Sequence, residues 1–185
     1  MKNAKKILAL LMCAVLLVGA SIAGTVAYLT DTDNVVTNTF TVGKVVITLD
    51  EVPVNEYGVP VAGDRVTANT YKLVPGHTYT KDPTIHVDTA SEPCYLFVKI
   101  ENGINATLAG QTGWTNIEGT NFWKYSEIVA PGGNVVVFNS YTYSNTVTDT
   151  TSDAANEIKV TAYAIQADGF ANVDAAWTAS GFSTM

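Results

Sequence analysis

Val35-Val36-Thr37-Asn38-Thr39-Phe40-Thr41-Val42-Gly43-Lys44-Val45-Val46-Ile47-Thr48-Leu49 alternates apolar and polar side chains on both sides of one glycine. An alternation carried by β-branched and aromatic residues is the pattern of a half-buried strand. Before Gly43, Val36, Phe40 and Val42 share even positions and threonines fill the odd ones from Thr37; after it, Val45, Ile47 and Leu49 share odd positions. Strand side chains alternate faces, so this change of parity predicts a bulge or sharp bend at Gly43.

Downstream, runs of Val, Ile, Thr, Tyr and Phe recur between Gly, Pro, Asn and Asp punctuation, and predict strands near 66–73, 84–87, 95–101, 135–139 and 157–165. Residues 52–64 read as a long hairpin connection, Pro75-Gly76 and Pro131-Gly132-Gly133 as tight turns, and 142–153 as an exposed loop. Asn172 stands ahead of Val173-Asp174-Ala175-Ala176-Trp177 as a capping residue before helix formers, which predicts one short C-terminal helix. Many short strands with little helix point to an all-β fold, a jelly-roll-like antiparallel β-sandwich.

Upstream, Lys2, Lys5 and Lys6 precede an apolar run over 7–18 and a small-residue stretch ending at Ala27. A basic start, apolar middle and small-residue end read as a secretory signal. Thr25 and Ala27 put small side chains at the third and first positions before a cut ahead of Tyr28. The competing reading is a retained anchor, because 7–29 carries no charge and is long enough to span a bilayer. The expected organisation is a signal peptide over 1–27, an N-terminal segment over 28–42 and one β domain over 43–185, secreted to the extracellular matrix or the cell surface. No second apolar tail and no Leu-Pro-x-Thr-Gly sorting motif follows, so sortase attachment is not expected.

Cleavage after Ala27 leaves 158 residues that keep all 17 acidic side chains and seven of the ten basic ones, a net charge of −10. An acidic surface repels nucleic acid, which is excluded as a partner. Cys13 departs with the signal, so Cys94 is alone, no internal disulfide forms, and the fold rests on its apolar core. Cys94 opens the apolar run Cys94-Tyr95-Leu96-Phe97-Val98, where a buried structural thiol is expected.

No catalytic residue, metal ligand or cofactor site is expected. The histidines, His77 and His86, are nine residues apart, and no His-Glu-x-x-His, Gly-x-Ser-x-Gly or phosphate-binding loop is present. In Thr84-Ile85-His86-Val87-Asp88, Ile85 and Val87 take one face, leaving His86 with Thr84 and Asp88 on a wetter one. Asp31, Asp33 and Asn34 lack the spaced glycine and terminal glutamate of a calcium loop. Asn105-Ala106-Thr107 matches a glycosylation sequon. Trp114, Phe122, Trp123, Tyr125, Tyr141 and Tyr143 admit two readings: core packing, or a shallow aromatic face that stacks sugars.

Gly24-Thr25-Val26-Ala27-Tyr28-Leu29-Thr30-Asp31 and Asn38-Thr39-Phe40-Thr41-Val42-Gly43 are followed by Leu73-Val74-Pro75-Gly76, Lys81-Asp82-Pro83, Cys94-Tyr95-Leu96-Phe97-Val98-Lys99 and Ala162-Tyr163-Ala164-Ile165-Gln166-Ala167. Together these blocks resemble the TasA/camelysin family of secreted bacterial proteins, especially its clostridial members. The resemblance implies export through an ER-type signal peptidase, a jelly-roll fold, and assembly into biofilm matrix fibres, with itself and other matrix proteins as partners. It further implies that the stretch after the cleavage site completes the sheet of the next subunit. Carried onto this chain, the cut falls between Ala27 and Tyr28, and the donor strand lies within 28–42 with Val36, Phe40 and Val42 filling pockets. The alternatives are that 35–42 forms the first strand of its own sheet, or that the domain is a surface module binding carbohydrate or protein. The metalloprotease activity described for camelysin-like members is the third, and the missing zinc motif speaks against it.

Overall fold

Cys94-Tyr95-Leu96-Phe97-Val98 is apolar without a period of two, which requires a strand covered on both faces. The computed structural model, which describes residues 44–144 and 157–182, places it so. Among these residues the elements run β1 (Ile47–Asp50), β2 (Thr78–Thr80), β3 (Thr84–Val87), β4 (Cys94–Asn102), β5 (Thr107–Ala109), β6 (Trp114–Asn116), β7 (Phe122–Tyr125), β8 (Asn134–Val136), β9 (Ser140–Thr142), β10 (Ile158–Gln166) and one helix, α1 (Val173–Ser180). The described fold is all-β and antiparallel, with three sheets ordered β1-β3-β8, β10-β4-β7-β6 and β2-β9-β5.

The even residues of β4, Cys94, Leu96, Val98 and Ile100, bury against Ile85, Val87, Val135, Val137 and Phe138, so two sheets share one core. Its odd residues Tyr95 and Phe97 turn the other way and pack beneath α1 with Ala176, Trp177 and Phe182. Asn172 caps α1 by accepting from the Ala175 amide at 2.9 Å, and Gly181, at φ 68°, closes the helix in the left-handed conformation.

The third sheet is held by aromatic stacking. Tyr79 and Tyr141 lie nearly parallel with ring centres 4.9 Å apart, and Tyr71 meets both edge-on at 5.7 and 5.4 Å. The Tyr79 hydroxyl donates to the Lys72 carbonyl at 2.7 Å and accepts from the Val74 amide at 2.6 Å. Gly58 is needed beside it: its φ is 77°, and a Cβ there would stand 2.9 Å from the Tyr79 backbone.

The predicted strand at 66–73 does not form. Val66 makes a single bridge to Glu51, and beyond it side chains take over the pairing. Asn69 accepts from the Val54 amide at 3.0 Å and donates to the Val52 carbonyl at 2.9 Å, an alternative to the ladder that short amide side chains offer. The connection over 52–64 does fold back on itself, through bridges Val54 to Pro60 and Glu51 to Val66. The expected bend at Gly43 lies outside the described residues.

Cys94 is wholly buried, and burial pushes its thiol up to about 11. For a chain beginning at Tyr28, whose one thiol is Cys94, we expect no reaction of the folded protein with Ellman's reagent near pH 8, and one thiol equivalent once denaturant is added. Rapid labelling of the native state would show that β4 opens locally.

Candidate functional site

Two strands are sheet edges that border the same cleft, and the hydrogen bonds show which way their backbones point. Along β4, Cys94 and Val129 exchange both main-chain bonds and Ile100 donates to Asn121, so the even residues face away from β10. Gly103 donates to Glu157 and Ala167 donates to Pro93, so the odd residues face it. A residue of an antiparallel strand turns its N–H and C=O to the same side. The register therefore puts the bonded pairs at Lys159–Glu101, Thr161–Lys99, Tyr163–Phe97 and Ile165–Tyr95. Ile158, Val160, Ala162, Ala164 and Gln166 turn their main-chain groups outward, where β10 has no neighbouring strand among the described residues.

β1 behaves in the same way. Asp88 donates to Val46, so the even residues face β3 and Ile47 and Leu49 turn their backbones outward. That edge is stopped at Glu51, which exchanges two bonds of 2.8 Å with Val66. Between the two strands lies a cleft of about 600 Å³. Its apolar surface comes from Leu49, Ile104, Tyr141, Ile158 and Val160, and the segment 67–71 forms another wall.

The polar part of the cleft centres on a buried ion pair. Lys81 Nζ lies 2.6 Å from Glu51 Oε2, with the two side chains 12% and 5% exposed, and Glu51 Oε1 has no hydrogen-bond partner among the described residues. Burial, reinforced by the charges of Glu51 and Asp82, pushes the Tyr71 hydroxyl up, so it stays protonated and donates to the Thr80 carbonyl at 3.1 Å. The Lys81 ammonium stands 6.0 Å from the centre of the Tyr71 ring.

Beside the cleft, Arg65 ties β1 to β3. It bonds the Asp50 carboxylate, the Asp82 carboxylate at 3.0 Å and the Thr84 hydroxyl at 2.8 Å. Thr84 is consequently buried, contrary to the wetter face expected for it, because the guanidinium covers it. His86 completes the group, with Nε2 2.8 Å from Asp50 Oδ1 and Nδ1 2.6 Å from Asn134 Oδ1. Burial of Asp50 by itself would raise its carboxyl, but the hydrogen bonds and charges of Arg65 and His86 outweigh that and hold it below the ordinary 3.8.

A carboxyl lowered by folding stabilises the native state above its unfolded value, and that contribution is lost as pH falls below 3.8 through the native value. We expect the urea midpoint to drop between about pH 5 and pH 2, and Asp50→Asn to flatten part of that drop. An unchanged acid profile in the variant would remove Asp50 from this role.

Of the residues singled out in the sequence, Ala27, Tyr28, Val36, Phe40 and Val42 lie outside the described residues, as do Asp31, Asp33 and Asn34. His77 is exposed, 3.1 Å from the Tyr57 carbonyl, and shares no hydrogen-bond partner with His86, which meets Asp50 and Asn134. No group of three His, Cys, Asp or Glu side chains among the described residues is placed to hold a metal ion. Trp114, Phe122, Tyr141 and Tyr143 are buried, and Trp123 and Tyr125 are half-buried against the core, so packing accounts for the rings considered for sugar stacking. Of the residues that shape the cleft, Lys81 stands in the block Lys81-Asp82-Pro83, while Glu51 and Tyr71 belong to none of the blocks singled out in the sequence.

Among the described residues, no helix is long and apolar enough to cross a membrane. Compared with family models, curated proteins and solved structures, the chain matches none. What the described residues define is an all-β domain in which two strand edges without a neighbouring strand among those residues border one cleft.

Proposed function

We propose that this protein is a secreted, non-enzymatic structural subunit of an extracellular matrix, a jelly-roll-type sandwich that polymerises by strand donation. Signal cleavage between Ala27 and Tyr28 frees residues 28–42, which add as a strand to the β10 edge of the next copy. Val36, Phe40 and Val42 then enter the cleft between β10 and β1. The observation that carries this reading is the outward-turned main chain of Ile158, Val160, Ala162, Ala164 and Gln166. An unpaired edge of that length is a template for another strand, with backbone bonds supplying affinity and pockets supplying selectivity. The resemblance to the TasA/camelysin blocks supports the same reading, and other matrix proteins are candidate co-assembly partners.

The test compares the mature chain, residues 28–185, with one beginning at Gly43, by electron microscopy and sedimentation. Fibres are expected from the first alone. Fibres formed equally by the shortened chain would overturn strand donation from this segment.

A further inference from the structure

The acceptor cleft is not uniformly apolar, and its exception matches one in the donor segment. Glu51 lies on the same face of its strand as Ile47 and Leu49, the face turned to the core, and is 4% exposed. Lys81 satisfies one carboxylate oxygen, while Oε1 has no partner among the described residues. A buried charged acceptor left unsatisfied costs free energy, so the site is built for a hydrogen-bond donor that arrives with the occupant. In residues 35–42, the even positions are Val36, Asn38, Phe40 and Val42, with Asn38 the one polar residue among them. If that face enters the cleft, Asn38 also needs a buried partner.

Resting on the strand-donation reading, we propose that Asn38 of a second copy donates its Nδ2–H to Glu51 Oε1 and that this pair sets the register of the added strand. The segment has the reach. Its 15 residues extend to about 50 Å, against about 30 Å for the nine residues of β10, which leaves a tether to the neighbouring domain. A slip of one residue would turn the whole apolar set away from the core. A slip of two would put Val36 or Phe40 against the carboxylate and leave Asn38 buried without a partner. A single buried polar pair thus selects one register, as a lone polar residue does in other apolar interfaces.

The test uses fluorescently labelled peptides of residues 28–42 and the mature protein at concentrations below those at which it polymerises, read by anisotropy. The parent peptide is expected to bind, and the Asn38→Val peptide to bind about tenfold or more weakly, the scale of a hydrogen bond to a charged group. The Glu51→Gln protein should show a comparable loss for the parent peptide, and no further loss for the Asn38→Val peptide. Losses that multiply, or an Asn38→Val peptide that binds the unaltered protein like the parent, would overturn the pairing. That second comparison leaves the protein's fold untouched. A Phe40→Asp peptide reports on the underlying reading and is expected not to bind. If it fails while Asn38→Val binds normally, donation stands and the register pair falls. If no peptide binds and the mature protein stays monomeric, its own segment fills the cleft and both fall.

Discussion

If strand donation builds fibres, Ala162→Pro should leave the chain from Tyr28 folded and abolish them, whereas Thr161→Pro, one residue earlier, should unfold it. The two positions differ in the direction of one N–H. Thr161 belongs to a bonded pair with Lys99 in β4, while the Ala162 main chain faces the open side. Proline removes the amide hydrogen and is tolerated in sheets where that hydrogen points away from the ladder. At Ala162 the isolated domain loses no bond, but an arriving strand loses a donor and meets a ring where it must approach. At Thr161 proline breaks the pairing of a strand covered on both faces, leaving a buried carbonyl unsatisfied at a cost of about 2 kcal/mol or more. Sedimentation and thermal melts of both variants decide the matter. Fibres that persist in a folded Ala162→Pro protein would exclude the β10 edge as the docking site.

The second large effect is expected in the layer beneath the helix. Phe97→Ala should lower stability by about 3–5 kcal/mol, the usual range for removing a buried phenylalanine. Phe97 has no exposed surface and lies 5.4 Å from the Trp177 ring and 5.8 Å from that of Phe182. Rings of that size fill the space between β4 and α1. A loss on this scale is a large part of an ordinary domain's stability, so the near-UV signal of Trp177 should weaken before the strands melt. A shift in the urea midpoint equivalent to less than about 1 kcal/mol would mean that α1 contributes little to the core.

The elements legible in the sequence are those long enough to show a pattern. β3 and β10 alternate, β4 is continuously apolar, and α1 carries its cap in Asn172; all four stand where the residues place them. The strand expected near 135–139 is present as β8; β2, β5, β6 and β9 have three residues each, too few to display a period, and stacking among Tyr71, Tyr79 and Tyr141 holds the sheet β2-β9-β5 together. The mistaken strand at 66–73 has the right composition, but Asn69 offers its own amide to the backbone in place of a ladder.

The cleft was still less legible. Glu51 and Lys81 are thirty residues apart, and an acidic residue ending a strand ordinarily faces water. Glu51 continues the inward face of Ile47 and Leu49, and its pairing with Val66 keeps the backbone extended there. Whether a strand is central or at an edge depends on its neighbours in space, so the open side of β10 follows from the register and not from Ile158-Lys159-Val160-Thr161-Ala162 as a string. The one local trace is Asn38, the polar residue among the even positions of 35–42.

The bonding groups along the open side of β10 are amides and carbonyls common to every amino acid but proline, so replacing Ile158 or Val160 by any other such residue leaves them in place. Adhesiveness of that origin is hard to erase by drift. A lineage that needed such a molecule to stay solitary would have to add proline, a bulge or a covering segment, whereas one that profits from cohesion keeps it at almost no constraint on its surface chemistry.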